Sequence, residues 1–560
     1  TLMFEYQQNI SVLNNFDDYV TKITDDLNMA THQCLVLPGK QDDLAKAKNI
    51  FNEKMKSIIT NEDFIKNLSQ YEASLTDKDP TPDIEIEKRM IFLIKLKMNV
   101  SPNQELQELR NQFAENVTTN SNKTIQLEIQ DDKRNGLEDL ETTPGFLSLK
   151  LDRPTQDRIF ETSKSQKMLQ IYYKLVEERC PENATNLERQ LQLKQQVARD
   201  SGYQCVLDFY LRDRMVENAA KLEDFISQLE EKFVKKFKSD LKSLEYKVEL
   251  TEFNVRNAFH VNQIRILDFD QRDVEKYFDQ TSTPLRIIQF LSQMLKFSFQ
   301  KLEIDLWDKS VFTFELTTKS KTVLVSFDLF QRPGKYQGGW FQRLNANWFS
   351  IQTNFAQKEF FSWDEVKTLL HELGHTLHAI YSQAKYKTMD AIEVQWDFVE
   401  VPSQFFEHFA YQPEFLGFMG LNQEEIGKIQ LLKCTMNGWF LQTQLQKVKI
   451  DYLMHKNLTS VGLQEEMADL MLYGQKQTFQ NVFLHLFGNN YDYSVGYYSY
   501  YYSEAVCTQL FEFVQSHNCM LEFVEKILQR GNEIPQAKLV EEFLGKELSF
   551  DAYWKMLGIE

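Results

Sequence analysis

Three histidines fall within eight residues of a chain that has only nine: His371, His375 and His378. The segment from His371 to His375 reads H-E-L-G-H, with Glu372 directly after the first histidine. On a helix, residues four positions apart share a face, so both imidazoles can bind one metal ion. Glu372 flanks that ion and can reach a water molecule bound to it. The spacing therefore predicts a metal site that activates water for hydrolysis.

The third metal ligand is not part of this short motif. Catalytic zinc usually takes three protein ligands and leaves one position for water. His378 lies nearly two helical turns beyond His371, so we expect it to support the core or a ligand rather than to bind the ion. Four acidic residues within 36 positions of His371 are candidates, and spacing alone does not choose among them: Glu393, Asp397, Glu400 and Glu407.

A second segment combines a histidine, glycines and tyrosines. His485 is followed by Gly488, Gly496 and seven tyrosines between positions 491 and 502. Phenolic hydroxyls near a metal site can donate hydrogen bonds to the oxyanion that forms when water adds to a peptide carbonyl. Packing in a helical core is the alternative for most of these tyrosines. The polar run after Gly488 is typical of a mobile segment that orders over bound peptide.

The elements around the histidine pair can be predicted from their patterns. Ser362 and Glu365 fit a capping box, so a helix should begin there and run through the H-E-x-x-H motif. Before it, VFTFELT and TVLVSFDLF alternate as a hairpin, and RLNANWFSIQTNF supplies one or two more strands. KTIQLEIQ and GFLSLKL predict two short strands between 123 and 152, around the turn at Asn135-Gly136. Residues 1–120, 156–242 and the part after Trp363 have helical periodicity.

Composition agrees with a helical protein and excludes several classes. Of 560 residues only 19 are glycine and 12 proline, which favours long helices. The 63 basic and 81 acidic residues give a net charge of −18, which disfavours nucleic acid and anionic membranes as partners. No apolar stretch approaches the ~18 residues of a membrane span. The six cysteines lack C-x-x-C spacing and are predicted to be reduced thiols.

HELGHTLH followed by DFVEVPSQFFEHF resembles the thimet oligopeptidase family of zinc metallopeptidases, and most of all its branch that processes imported mitochondrial precursors. VSFDLFQRPGKYQGG, with Asp328, Arg332, Gly334 and Lys335, is similar to the family's segment before the active site. The resemblance covers roughly 195–560. It implies that Glu400 is the third ligand, so that one Zn²⁺ per chain is held by His371, His375 and Glu400, with Glu372 as general base.

The same resemblance implies roles for other residues. His485, Tyr497 and Tyr500 would contact the substrate or its transition state, with Tyr491 as a further candidate. The spacing from His485 to the tyrosines is about three residues longer than is usual in the family. IQTNF corresponds to the family's edge strand, which can hold an extended peptide. Asp397 and Glu407 would either orient a ligand imidazole or serve as helix-cap or surface carboxylates.

The implied fold is mainly α: a two-lobed helical zinc peptidase with a small β-sheet beside the H-E-x-x-H helix and a deep central channel. Residues 1–194 would form a helical N-terminal lobe and 195–560 the catalytic region.

The favoured function is a zinc metalloendopeptidase of the mitochondrial matrix that removes a short N-terminal peptide from imported precursors. The alternatives are a cytosolic oligopeptidase that degrades short free peptides and a non-catalytic zinc-stabilised binding protein, against which the intact Glu372 argues. We expect a monomer whose partners are peptides or unfolded precursor N-termini.

Overall fold

The computed structural model describes residues 11–36, 41–76, 78–100, 103–128, 141–143, 146–163, 165–333, 335, 338–467, 470, 479–488 and 492–559. Over these residues the chain is mainly helical with two small sheets, which confirms the predicted fold class. None of the described helices has both the length and the apolar character that a bilayer span requires.

Five helices form the N-terminal part, as predicted: α1 (Ser11–Val36), α2 (Gln41–Ile59), α3 (Glu62–Thr76), α4 (Pro82–Met98) and α5 (Gln104–Asn122). Helix α4 begins at Pro82. Thr81 caps this helix by accepting a hydrogen bond from the backbone N–H of Ile84, and Pro82 occupies a first-turn position where no backbone donor is needed.

A three-stranded antiparallel sheet follows, in the order β1-β3-β2: β1 (Thr124–Glu128), β2 (Glu141–Thr143) and β3 (Phe146–Lys150). The two predicted strands are β1 and β3, which pair along their whole length, whereas β2 was not predicted. The predicted turn at Asn135-Gly136 lies outside the described residues. Further helices then continue the chain: α6 (Arg153–Thr162), α7 (Gln166–Glu177), α8 (Asn183–Asp200), α9 (Val206–Leu211), α10 (Ala219–Lys242), α11 (Val255–Leu267), a 3₁₀ turn (Gln271–Tyr277) and α12 (Thr283–Leu295).

The second sheet has five strands in the order β4-β5-β6-β8-β7: β4 (Ser298–Leu302), β5 (Phe312–Thr317), β6 (Thr322–Phe330), β7 (Trp340–Asn345) and β8 (Trp348–Phe355). The predicted hairpin is β5 and β6. The expectation that IQTNF is an edge strand is wrong. This segment belongs to β8, which pairs in parallel with β6 and antiparallel with β7. The tight turn after Asn345 folds β7 onto the outer side of β8, so β7 is the edge.

The C-terminal part is helical, as the periodicity after Trp363 predicted. Its main helices are α13 (Trp363–Tyr381), α14 (Glu400–Glu407), α15 (Pro413–Phe418), α16 (Gln423–Leu432), α17 (Gly438–Asn457), α18 (Leu463–Glu466), α19 (Leu484–Phe487), α20 (Ser499–His517), α21 (Met520–Phe523), α22 (Gln536–Leu544) and α23 (Asp551–Met556). Between them lie 3₁₀ turns at Lys387–Met389, Ala391–Glu393, His408–Tyr411 and Phe479–Val482, and a π-helical turn at Val524–Leu528.

The chain forms two compact units, each built from separate stretches. One comprises Thr1–Asn99, Gln271–Gln430 and Tyr501–Tyr553, and contains the five-stranded sheet with α13 and α14. The other comprises Val100–Asp270, Leu431–Tyr500 and Trp554–Glu560, and contains the three-stranded sheet with α8 and α17. The boundary at 194/195 and the central channel stay predictions.

Candidate metal centre and tyrosine cluster

Helix α13 holds the two motif histidines on one face. Ser362 begins the helix by the predicted capping box: its hydroxyl accepts from the backbone N–H of Glu365, and the Glu365 carboxylate accepts from the backbone N–H of Ser362. Buried side chains on the rest of the helix fix its rotation. The rings of His371 and His375 lie with centroids 5.0 Å apart. The capped, largely buried helix therefore presents both imidazoles in one direction.

Helix α14 brings a carboxylate to these imidazoles. Glu400 is the first residue of α14, and its Oε2 lies 3.2 Å from Nε2 of His371 and 3.2 Å from Nε2 of His375. The Ser403 hydroxyl donates to the same oxygen at 2.9 Å. The ligand atoms of the three residues lie within 4.8 Å of one another, the only such group of potential ligands found among the residues that the structure describes.

The close approach of α13 and α14 depends on Gly374, inside the histidine motif. A Cβ atom at this position would lie 2.6 Å from Cα of Ser403 and 2.8 Å from the carbonyl oxygen of Pro402. Both contacts are with backbone, which cannot move aside cheaply. Glycine is therefore required where the two helices cross, and this crossing places Glu400 beside the imidazoles.

The charges of the site call for a cation. Burial disfavours the imidazolium form of His371, but hydrogen bonds to Glu400 and Glu407 outweigh it and raise its pKa well above the usual value. Burial likewise raises the pKa of Glu400, but the neighbouring His375 and His371 hold it well below the usual range. A proton thus compensates the buried carboxylates, and a divalent cation would take its place. Two imidazoles and one carboxylate are a donor set that zinc takes in hydrolytic sites.

Glu372, the residue after His371, has one carboxylate oxygen without a hydrogen-bond partner among the described residues. That oxygen is Oε2, and the side chain is buried. The backbone N–H of Phe341, in β7, hydrogen-bonds the carboxyl group. Burial raises the pKa of this carboxyl, although His371 and His375 oppose the effect. An orphaned buried oxygen beside a His-His-Glu group fits a site that holds a metal ion and a water molecule.

Of the other three acidic candidates, Glu407 contacts a histidine of the metal group. Oε2 of Glu407 lies 3.2 Å from Nδ1 of His371, so it can fix the orientation of that ring from behind. Glu393 instead pairs with Lys97, at 3.3 Å between Oε2 and Nζ. Asp397 is fully buried, and its backbone carbonyl accepts from the Ser503 hydroxyl at 2.7 Å.

His378 is a core histidine. Its side chain is buried, its Nε2 has no partner among the described residues, and burial lowers its pKa to about 3. The imidazole is therefore neutral at pH 7, and it lies outside the ligand group, as the sequence predicted.

The segment before the site is anchored by a buried ion pair. Nζ of Lys335 lies 2.8 Å from Oδ1 of Asp328 and donates to the carbonyl of Thr353 in β8 at 2.6 Å. Arg332 forms a second ion pair with the same carboxylate. These bonds tie the end of β6 to β8 and hold the start of the loop that leads to Phe341. Gly334 lies outside the described residues.

The tyrosine segment gathers around His485 within the second unit. The ring centroid of His485 lies 5.1 Å from that of Tyr493, 5.6 Å from that of Tyr497 and 6.4 Å from that of Tyr500. The Tyr500 hydroxyl donates to the Tyr493 hydroxyl at 3.3 Å, and the Tyr497 hydroxyl donates to Gln444 at 3.2 Å. His485 keeps part of its surface exposed, but crowding by the surrounding side chains, together with Lys447, lowers its pKa to about 4, so the imidazole is neutral at pH 7.

The structure thus brings together His485, Tyr497 and Tyr500, and adds Tyr493, which was not predicted. Tyr493 and Tyr497 precede α20, which begins at Ser499, so helical periodicity could not have indicated that these rings meet. Tyr491, the other candidate, lies outside the described residues.

A His-His-Glu group and a buried glutamate, on crossing helices beside a small mixed sheet, define a metallopeptidase site. Residues 165–559 match the sequence profile of peptidase family M3. The chain therefore belongs to peptidase family M3, and the predicted membership in the thimet oligopeptidase family is confirmed. It is a metallopeptidase, a hydrolase of peptide bonds.

Individual relatives are distant. Oligopeptidase A of Escherichia coli (strain K12) is 23% identical over 474 residues, which cover 74% of this chain and 69% of that protein. Mitochondrial intermediate peptidase of Coprinopsis scobicola is 30% identical over 167 residues, covering 28% of this chain and 21% of that protein. The solved structure of Pyrococcus furiosus carboxypeptidase superposes with a TM-score of 0.59 at 12% identity, covering 99% of each chain, which shows a common fold.

Proposed function

We propose that the protein is a zinc-dependent oligopeptidase whose single Zn²⁺ is held by His371, His375 and Glu400. The observation that carries the proposal is the meeting of these three side chains with the orphaned oxygen of Glu372. When bound, zinc would lower the pKa of a water molecule and polarise the scissile carbonyl.

Glu372 acts as the general base. Its Oε2 takes a proton from the attacking water and then passes it to the departing amine nitrogen. Glu407 accepts a hydrogen bond from Nδ1 of His371, which leaves the lone pair of Nε2 for the ion. Glu372 thus transfers protons, whereas Glu407 orients the ring of His371.

His485, Tyr497 and Tyr500 stabilise the tetrahedral intermediate in this proposal. Neutral imidazole and phenol groups can donate hydrogen bonds to an oxyanion, and loss of one such donor costs about 3–4 kcal/mol of transition-state stabilisation in other enzymes. Their clustering around one ring and the neutral state of His485 at pH 7 support this role.

Short or unfolded peptides are the proposed substrate class. The relative with the longer alignment is named oligopeptidase A, which favours free peptides and a cytoplasmic location. Processing of imported precursors in the mitochondrial matrix is the second candidate. It is favoured by the higher identity, over a shorter stretch, to a mitochondrial intermediate peptidase.

Quenched fluorescent peptides of increasing length, assayed beside a matrix precursor, test both candidates. We expect a chelator to abolish cleavage and added zinc to restore it. Full activity in the chelator would contradict the zinc-dependent mechanism. Cleavage of short peptides with the precursor left intact would exclude the processing candidate, and specific removal of a short N-terminal piece would favour it.

A further inference from the structure

The backbone next to His485 is held by a polar stripe on α8. Asn183, Gln190 and Lys194 are buried on one face of this helix. Nδ2 of Asn183 donates to the carbonyl of Asn481 at 2.8 Å, Nε2 of Gln190 to that of Phe487 at 3.1 Å, and Nζ of Lys194 to that of Leu486 at 2.8 Å. Buried polar side chains whose hydrogen bonds are satisfied make the backbone segment that they contact rigid.

The backbone before the tyrosines is held by one carboxylate on α17. Asp451 is buried, and it accepts from three consecutive backbone N–H groups: Oδ1 from Val495 at 2.9 Å, and Oδ2 from Gly496 at 2.8 Å and from Tyr497 at 2.9 Å. Val495 has a φ of +50°, a left-handed conformation that is unfavourable for a β-branched residue. The carboxylate therefore stabilises a backbone conformation that the sequence alone would not adopt.

His455 and Lys194 connect the two anchors. Nδ1 of His455 hydrogen-bonds the backbone carbonyl of Asp451 at 2.8 Å and lies 2.9 Å from its carboxylate Oδ1, while Nε2 lies 3.3 Å from Nζ of Lys194. With the Nδ1 proton donated towards Asp451, Nε2 can accept from the lysine. A continuous chain of contacts thus runs from the carbonyl of Leu486, beside His485, to the backbone amide of Tyr497.

The direction of the tyrosine side chains follows from this anchoring. Tyr497 is itself one of the three amides that Asp451 binds, and Tyr500 is three residues further, in the first turn of α20. The hydroxyl is at the far end of the aromatic ring, so a small rotation of the backbone at 495–497 moves it further than the Cα atom, and a misplacement of about 1 Å can cost about 100-fold in rate. Asp451 does not need to touch the substrate to affect the reaction.

We propose that Asp451 is a positioning residue of the peptidase site, whose carboxylate fixes the backbone of residues 495–497 and thereby directs the Tyr497 and Tyr500 hydroxyls. The inference rests on the proposed function, because it acts through the tyrosines to which that function assigns transition-state contacts.

Asp451→Asn tests the inference, since it keeps the shape of the side chain and replaces one acceptor oxygen by an NH₂ group. We expect kcat per zinc-loaded site to fall by about 10- to 100-fold, with zinc content and KM little changed. Asp240→Asn is the matched control. Asp240 is also buried in the second unit, accepts from the backbone N–H of Gly438 at 2.8 Å and pairs with Lys236 at 2.9 Å. The Asp240→Asn variant should be less stable than the wild type but should have the same kcat.

Tyr500→Phe separates failure of this inference from failure of the proposed function. If Tyr500→Phe leaves kcat unchanged, the proposed role of the tyrosines is wrong. If Tyr500→Phe lowers kcat but Asp451→Asn behaves like Asp240→Asn, the positioning role is wrong. Because Asp451→Asn already misdirects the Tyr500 hydroxyl, removing that hydroxyl as well should cost clearly less than the product of the two single losses. Losses that multiply would overturn the inference.

His455→Phe keeps the inference testable if Asp451→Asn does not fold. The ring stays in place but loses the Nδ1 contacts with the Asp451 carbonyl and carboxylate, so a smaller fall in kcat at constant zinc content is expected. An unchanged kcat in folded His455→Phe would count against the positioning role.

Discussion

At the scale of single residues, the metal centre depends on which carboxylate reaches two imidazoles. Glu400 lies 3.2 Å from each of them, whereas Glu393, seven residues earlier, pairs with Lys97. Both residues are glutamates, and both follow the histidine motif within a short distance. Substitution of Glu400 therefore tests the ligand, and the same substitution of Glu393 is the control.

Glu400→Gln should weaken zinc binding by more than about 100-fold, because loss of a ligand should cost more than the roughly 10- to 100-fold seen when a group behind a ligand is removed. Glu393→Gln should bind zinc like the wild type. Competition with a chelator of known affinity measures both. Wild-type affinity in Glu400→Gln would show that another residue is the third ligand.

The sequence predicted the histidine pair from spacing, but not the third ligand. Four carboxylates satisfied the same spacing, and only the resemblance to a family favoured Glu400. The missing information is the crossing of α13 and α14, a tertiary contact that helical periodicity does not contain. Tyr493 was missed for a related reason: the longer interval after His485 obscured which tyrosine faces it.

At the scale of elements, the crossing at Gly374 decides whether α14 can deliver Glu400. We expect Gly374→Ala to lower the free energy of unfolding by about 1–3 kcal/mol and to weaken zinc binding, because the new Cβ would overlap the backbone of Pro402 and Ser403. Thermal unfolding and zinc titration measure the two effects.

Gly427→Ala in α16 is the control for that substitution. A Cβ at this position meets nothing within 4 Å, and alanine favours a helix interior over glycine by roughly 0.5–1 kcal/mol. This variant should be as stable as the wild type or more so. Equal behaviour of the two variants would contradict the role given to the crossing.

The anchoring of the tyrosine segment predicts a pH dependence of stability. Burial lowers the pKa of Lys194 to about 7, although Asp492 and Asp451 raise it, whereas in the unfolded chain it is about 10.4. Between these values the unfolded chain binds the additional proton, so this lysine makes the free energy of unfolding rise with pH. Lys194→Met lacks this contribution.

Denaturant unfolding at about pH 7 and about pH 9 should therefore show wild type gaining stability relative to Lys194→Met as the pH rises. A constant difference between the two proteins would contradict the lowered pKa.

Most elements could be predicted from the sequence because periodicity and caps are local signals. The capping box of Ser362 and the β5–β6 hairpin are of this kind. The order of strands in a sheet is not local. β8 was expected at the edge, but the short turn after Asn345 places β7 outside it. The short strand β2 was missed because it contains only three residues.

At the scale of the whole molecule, the net charge of −18 should influence which peptides reach the site. A negative field attracts cationic substrates, and salt screens it, with a Debye length of about 8 Å at physiological ionic strength. We expect kcat/KM for a lysine-rich quenched peptide to fall as salt is added, and kcat/KM for a glutamate-rich peptide of equal length to rise. Identical salt dependence of the two peptides would contradict this steering.

The two compact units each draw on distant parts of the chain, which no composition shift or linker in the sequence indicated. Long-range contacts define such units, and a single sequence gives little information about them. The monomeric state and the two-domain boundary at 194/195 remain predictions at this scale.

In the proposed mechanism, Glu372 activates water beside a zinc ion held by His371, His375 and Glu400. Glu372→Gln tests it most directly, with zinc content by mass spectrometry and peptide hydrolysis measured on one preparation, and with the exposed Glu303→Gln as control. We predict one zinc ion per chain in both variants, wild-type hydrolysis by Glu303→Gln, and hydrolysis at least about 100-fold slower in Glu372→Gln. Wild-type hydrolysis by zinc-loaded Glu372→Gln would contradict the mechanism.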